Sequence, residues 1–161
     1  MKLTDKGLNL IKSFEGLRLN AYLCEANVAT IGYGATYYAN DQKVKLGDKI
    51  TQEAAEVLLR KTVRSFEQNV AALLNGTVVS QNQFDALVSF AFNLGTAALA
   101  KSTLLKKVKA NPNDVTIIGE FEKWVNAGGK KSKGLVTRRK MEAELYFQKA
   151  YNSYEAKSQQ V

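Results

Sequence analysis

Residues 86–100, bounded by Asp85 and Lys101, form a run of 15 residues without a charged side chain. A bilayer span needs about 20 apolar residues, so this run is too short to cross one. Asn93 and Gly95 also interrupt it. A helix that is apolar on all sides must instead be wrapped by other elements. Its start is marked by Ser80-Gln81-Asn82-Gln83, the S-x-x-Q spacing of a capping box. Phe84, Leu87, Val88, Ala91 and Leu94 follow at helical spacing, and Gly95 ends the run. The chain should therefore fold around a buried helix, and its 161 residues are enough to build a core without disulfide or metal staples.

The remaining elements fall in a definite order. Thr4 caps a first helix, with Leu8, Ile11 and Phe14 at helical spacing and an end near Glu15-Gly16. Residues 17–47 change character: Gly32, Gly34, Gly47 and Asn40-Asp41 punctuate short β-prone runs. Strands are predicted over 28–33 and 36–39, with 43–46 as a hairpin partner. Thr51 starts a long helix whose apolar stripe is Val57, Leu58, Leu59, Phe66, Val70 and Leu73, stopped by Asn75-Gly76. After the buried helix come a short helix over 103–108, another from Asn113 or Asp114 through Phe121, Trp124 and Val125 until Gly128-Gly129, a basic loop over 130–136, and a last helix from Thr137. Strands confined to the early part give an α+β fold. It has a small N-terminal lobe with a short antiparallel sheet, a long connecting helix and an all-helical C-terminal lobe. One domain over 1–161 is expected, with lobes at about 12–60 and 61–150, the first helix packed on the second lobe, and a frayed tail at 151–161. A cleft between the lobes is a natural ligand site.

Composition narrows the chemistry. There is no His and only one Cys, Cys24. A Ser-His-Asp triad, a Cys-His dyad, a His-ligated metal, a Cys₄ zinc site and an intramolecular disulfide are all excluded. No motif for a cofactor or metal is present. The net charge is +8, and it is uneven: residues 1–100 carry 10 basic and 9 acidic groups, residues 101–150 carry 12 and 5. Such a surface suits a polyanion, whether nucleic acid, an anionic membrane or a cell-wall polymer, although lysine also serves plain solubility. No helix-turn-helix, RNP or zinc-finger signature accompanies the charge, so no specific nucleic-acid partner is expected. The segment from Met1 to Lys6 lacks the apolar stretch of a secretion signal.

The stretch from Phe14 to Gly34 carries the most chemical information. Glu15 sits at a helix end, Cys24 lies nine positions on, and Thr30 opens Thr30-Ile31-Gly32-Tyr33-Gly34. Singly, each has an ordinary reading: a solvated charge, a small buried hydrophobe, a strand former, a hairpin bend.

Taken together, Glu15-Gly16-Leu17-Arg18-Leu19, Tyr22, Cys24 and Thr30-Ile31-Gly32-Tyr33-Gly34 resemble the active-site segment of the phage-type lysozymes, glycoside hydrolase family 24. The family pattern is E, eight residues, D or C, five residues, T, and Glu15, Cys24 and Thr30 match it. A second block, Gln83 through Gly95, resembles the family's buried helix. A third resembles its C-terminal signature: Trp124, Gly128-Gly129-Lys130, Gly134-Leu135-Val136-Thr137-Arg138-Arg139 and Glu142. The three blocks stand in family order from about residue 3 to 147.

The resemblance implies a lysozyme-like fold and a muramidase, cleaving the β-1,4 bond between N-acetylmuramic acid and N-acetylglucosamine in bacterial peptidoglycan. Glu15 would be the acid that protonates the glycosidic oxygen. Burial disfavours its carboxylate and an opposing Arg138 or Arg139 favours it, a balance the sequence leaves open. Cys24 would orient or polarise the attacking water, with Thr30 holding it and Glu25 offering a nearby negative charge. The family precedent is inversion at the anomeric carbon. Gly34, Thr36, Phe92, Thr103 and Arg138 are the implied substrate-binding residues. Phe92 reads equally as core filler, and Trp124 reads as core. A phage endolysin acting as a monomer is implied, held in the host cytoplasm until a holin releases it to the cell wall or periplasm. The alternatives are a catalytically weak wall-binding module and a lytic transglycosylase.

Overall fold

The computed structural model describes residues 1–148; the expected frayed tail at 151–161 lies outside the described residues. The elements run α1 (Asp5–Glu15), β1 (Arg18–Leu23), β2 (Ala29–Gly32), α2 (Gln52–Leu74), α3 (Gln81–Leu94), α4 (Thr96–Lys101), α5 (Thr103–Ala110), α6 (Ile117–Glu122), β3 (Asn126–Ala127), β4 (Lys130–Lys131) and α7 (Lys133–Phe147). This is the expected α+β fold, but the C-terminal part is not all-helical: it carries the short β3–β4 ribbon. No helix among the described residues is long and apolar enough to cross a membrane.

The uncharged run behaves as its composition requires. Ser80 accepts from the Gln83 amide while the Gln83 side chain accepts from the Ser80 amide, so the capping box is complete. Every residue from Asn82 to Ala91 is buried, and Gly95 ends the helix at φ +95°, in the left-handed region. Helices α1, α2 and α7 all pack against α3. The main core contains Ile11 of α1, Leu59, Val63 and Val70 of α2, Phe84, Leu87 and Phe90 of α3, and Tyr146 of α7. A second, smaller core joins Ile31, Val44 and Leu58. Adjacent residues of α2, Leu58 and Leu59, therefore serve different cores. That is how one long helix connects a strand-bearing part to a helical one.

Several local expectations change. β1 is absent from the sequence reading; it pairs antiparallel with β2 through Arg18–Gly32, Tyr22–Thr30 and Leu23–Ala29, with an irregularity between Arg18 and Tyr22. Its residues are mostly exposed, so no buried face shows as alternation. Residues 36–39 and 43–46 are not strands. They form a folded loop held by single bridges, Ile31–Ala35 and Tyr37–Lys43. The Tyr38 hydroxyl, donating to Asp48 Oδ2 at 2.6 Å, ties the loop shut. In α2, Val57 is exposed and the buried face runs through Ala55, Leu58, Leu59, Val63, Val70 and Leu74.

The second half departs at three places. A further helix, α4, follows Gly95 directly. α6 begins only at Ile117, because Asp114 Oδ1 accepts from both the amide and the hydroxyl of Thr116 and closes a local turn. The expected basic loop over 130–136 is instead β4, paired with β3, followed by the first turn of α7. Ser132, not Thr137, caps that helix, accepting from the Leu135 amide. Thr137 is interior and donates back to the Lys133 carbonyl.

Candidate active site

Gly16, at φ +68°, stops α1 and turns the chain into β1, leaving Glu15 at the helix end. The Glu15 side chain is 25% exposed and faces Arg138, which is 4% exposed. Arg138 Nη1 donates to Glu15 Oε1 at 2.9 Å. The early start of α7 places Arg138 and Arg139 in its second turn, where both are buried. Behind them stands Glu142, fully buried, accepting from the Ser89 hydroxyl at 2.6 Å and from Arg139 Nη1. Arg139 Nε also donates to the Trp124 carbonyl at 3.0 Å, and its Nη2 to Asn93 Oδ1. Guanidinium faces rest on aromatic rings, Arg138 at 5.3 Å from Phe14 and Arg139 at 5.1 Å from Phe90. Of the expected pairings with Glu15, the structure makes the one from Arg138; Arg139 pairs with Glu142.

Cys24 and Thr30 meet at the turn end of the β1–β2 hairpin. The Cys24 amide donates to the Val28 carbonyl at 3.1 Å, and Asn27 turns the chain at φ +60°. Thr30 is buried and its hydroxyl donates to the Val28 carbonyl at 2.9 Å. The Cys24 thiol is held below its ordinary range, first by hydrogen bonding to the Val28 backbone, then by the Thr30 hydroxyl and the Ala26 backbone. The Thr30 hydroxyl has one proton, so it serves either the Val28 carbonyl or the sulfur at a given moment. Glu25 is exposed in the turn. Glu15 leads into the other end of this hairpin, near the Arg18–Gly32 pair. Thr30 lies two residues, roughly 7 Å of strand, from Gly32.

Gly34 and Phe92 line one small cavity of about 30 Å³, with Tyr33, Ala35, Leu59 and Thr62. Gly34 and Thr36 line a wider groove of about 250 Å³, which shares Ala35 and Thr62 with the first. These spaces run between the loop after β2 and α2, where the two cores separate. Phe92 is half-buried and also stacks on Phe66, ring centres 5.4 Å apart, so it fills space and borders the cleft at once. Trp124 packs edge-on against Phe90 at 5.6 Å, as the core reading expected. Thr103 stands apart: it is exposed at the start of α5 and lines neither space. Two larger hollows lie elsewhere, a lysine-rimmed one at Tyr38 and Asp48 and one between α1 and α7. Neither contains an expected site residue.

The sequence reading gave no site role to Ser89, Asn93, Lys12 or Tyr33. Lys12 pairs with Glu56 and sits 5.7 Å from the Tyr33 ring, pinning α1 to the cleft-lining segment one turn before Glu15. Glu142 had a detectable signal: Arg138 and Arg139 stand four and three residues before it, the spacing of same-face partners on a helix.

Comparison with known proteins converges on one family. Residues 12–142 match the family model described as Phage lysozyme. An endolysin of Acyrthosiphon pisum secondary endosymbiont phage 1 is 44% identical over 154 residues, covering 91% of this chain and 98% of that protein. An endolysin of Bacillus phage B103 is 47% identical over 148 residues, and the match spans 91% of this chain but 54% of the relative's length. Among solved structures, an endolysin from Escherichia coli O157:H7 phage FAHEc1 aligns with a TM-score of 0.83 at 41% identity, covering 95% of this chain and 98% of that one. The muramidase domain of SpmX from Asticaccaulis excentricus aligns with a TM-score of 0.79 at 34% identity, covering 92% and 99%.

Proposed function

The chain belongs to the phage lysozyme family, which gives it a peptidoglycan-hydrolase role in phage lysis, and from that premise we propose a muramidase mechanism. The bond cleaved is the β-1,4 link between N-acetylmuramic acid and N-acetylglucosamine. The observation that carries this reading is the placement of Glu15: a partly exposed carboxyl at a helix end, gripped by one buried guanidinium. The likeness to a muramidase domain supports the choice of bond.

In this mechanism Glu15 hands its proton to the glycosidic oxygen as the bond breaks, relieving a poor leaving group. Arg138 orients the carboxyl and receives it back as carboxylate. Water attacks the anomeric carbon from the opposite face, directly and with inversion, held by the Thr30 hydroxyl and the Cys24 sulfur, and sheds its proton to solvent as the new C–O bond forms. The lowered thiol supports a polarising role for Cys24. Gly34, Thr36 and Phe92 line the sugar path. The chain acts as a monomeric unit of two lobes, released to the wall by a membrane-permeabilising holin.

The test is to digest purified peptidoglycan and assay new reducing ends. Wild-type protein should generate them. Glu15→Gln should lower the rate by at least about 100-fold, the lower range for a general acid, with an unchanged circular dichroism spectrum. Cys24→Asp should retain activity. Anhydro-muramic ends in place of reducing ends would make the enzyme a lytic transglycosylase. Wall binding unaffected by Glu15→Gln, without turnover in the wild type, would leave only a binding module.

A further inference from the structure

Arg138 is shared between two carboxylates, and the sharing is uneven. Its Nη1 donates to Glu15 at 2.9 Å and its Nη2 to the Ser89 carbonyl at 3.3 Å. Its Nε faces Glu142 Oε2 at 3.7 Å, too far for a hydrogen bond. That Nε is a buried donor without a partner among the described residues. Both Glu142 oxygens already accept a closer donor, Oε2 from the Ser89 hydroxyl and Oε1 from Arg139, and Arg138 Nε competes with the hydroxyl for Oε2. Arg139 is fixed by four contacts, to Glu142, Asn93, the Trp124 carbonyl and the Phe90 ring. Arg138 keeps its Nε unpaired, where Arg139 donates its own to the Trp124 carbonyl.

We infer that Glu142 is a positioning residue for the reaction, acting through Arg138, and that the Ser89 hydroxyl sets how much of that guanidinium Glu142 takes from Glu15. The inference rests on the reading of Glu15 as the acid. A buried unpartnered donor is costly, so the guanidinium is drawn toward Glu142. Closing the gap to Glu142 loosens the hold on Glu15. When Glu15 is ionised, the cluster holds two cations and two anions. When Glu15 is protonated and ready to donate, Glu142 is the anion that keeps Arg138 paired. The charged groups facing Arg138 are Glu15 from α1 and Arg139 and Glu142 from its own helix; α3 presents the neutral Ser89 and Asn93. Burial pushes the Glu142 carboxyl up, while Arg139, Ser89 and Arg138 oppose that.

Two substitutions should act in opposite directions. Glu142→Gln removes the competing anion, so Arg138 belongs wholly to Glu15 and its carboxylate persists to lower pH. The alkaline limb of the lysis profile should move to lower pH. Ser89→Ala removes the donor that competes for Oε2, so Arg138 Nε is drawn closer to it, and the limb should move up. Carbon-13 NMR of the Glu15 side-chain carboxyl, assigned with Glu15→Gln, should show the same opposite displacements without any substrate present. A purely structural role would lower activity in both variants and leave both midpoints in place, which would overturn the inference, as would shifts of the same sign. If Glu142→Gln does not fold, an upward midpoint in Ser89→Ala supports the inference and an unmoved one overturns it. Retained turnover in Glu15→Gln would instead remove the acid reading, and the NMR midpoints would still decide the sharing of Arg138.

Discussion

At the scale of single residues, Thr30 is the clearest case of a group whose role depends on where its one proton points. Turned to the Val28 carbonyl it holds the hairpin end; turned to Cys24 it helps hold the thiol below its ordinary range. Thr30→Val keeps the branched shape that a strand favours and removes the hydroxyl. The thiol is lowered partly by that hydroxyl, so its loss should move the pH midpoint of Cys24 alkylation upward. Iodoacetamide rates measured against pH check this, and an unmoved midpoint would leave the Val28 and Ala26 backbone groups as the whole cause. The sequence showed Glu15, Cys24 and Thr30 as residue types at a spacing. It did not show Ser89 or Asn93, because a neutral polar side chain inside an apolar helix has no periodic signal until its partner on another helix is known.

At the scale of elements, the docking of α1 on α3 keeps Glu15 against Arg138. Thr4 caps α1 by position only; its hydroxyl donates across to Asp85 of α3 instead of to its own helix. Gly7 permits the close approach, since a Cβ there would stand 2.5 Å from Leu3 Cδ1 and 2.9 Å from Asp85 Cβ. Gly7→Ala gains about 1 kcal/mol of helix propensity and meets that overlap. A net loss of about 1–3 kcal/mol is expected, read as a lowered urea midpoint at unchanged slope. Elements defined by their own caps were legible: Thr51 with Asn75 for α2, and Ser80 with Gly95 for α3. Elements defined by their neighbours were not. β1 and the β3–β4 ribbon are largely exposed, and pairing with a partner strand is what makes them strands. The cap of α7 is Ser132, five residues before the expected Thr137. The earlier start wins because it is the one that accompanies burial of Arg138 and Arg139 against α3 and the Trp124 carbonyl.

At the scale of the whole molecule, the basic excess lies in the half that contains the β3–β4 ribbon and α7, and Lys130, Lys131, Lys133 and Lys140 are exposed there. Exposed charge acts over about a Debye length, about 10 Å at 0.1 M salt. Lysis of an anionic wall should therefore slow as salt rises, and replacing Lys130, Lys131 and Lys133 with Gln should flatten that dependence and lower the low-salt rate several-fold. Turbidity clearance across a salt series measures both. What the sequence by itself determined is the set of parts: a buried central helix, a long helix with fixed ends, an early strand-bearing patch, and a chemistry limited to carboxyl, thiol, hydroxyl and guanidinium groups. Those follow from local periodicity, caps and the lack of His, which need no partner in space. Only the tertiary structure decided that Leu58 and Leu59 serve separate cores, that Arg138 and not Arg139 holds Glu15, and that Glu142 stands behind both. The physical reason is range: a hydrogen bond or an ion pair is settled within about 3 Å, and Glu15 and Arg138 reach that distance across 123 positions of chain.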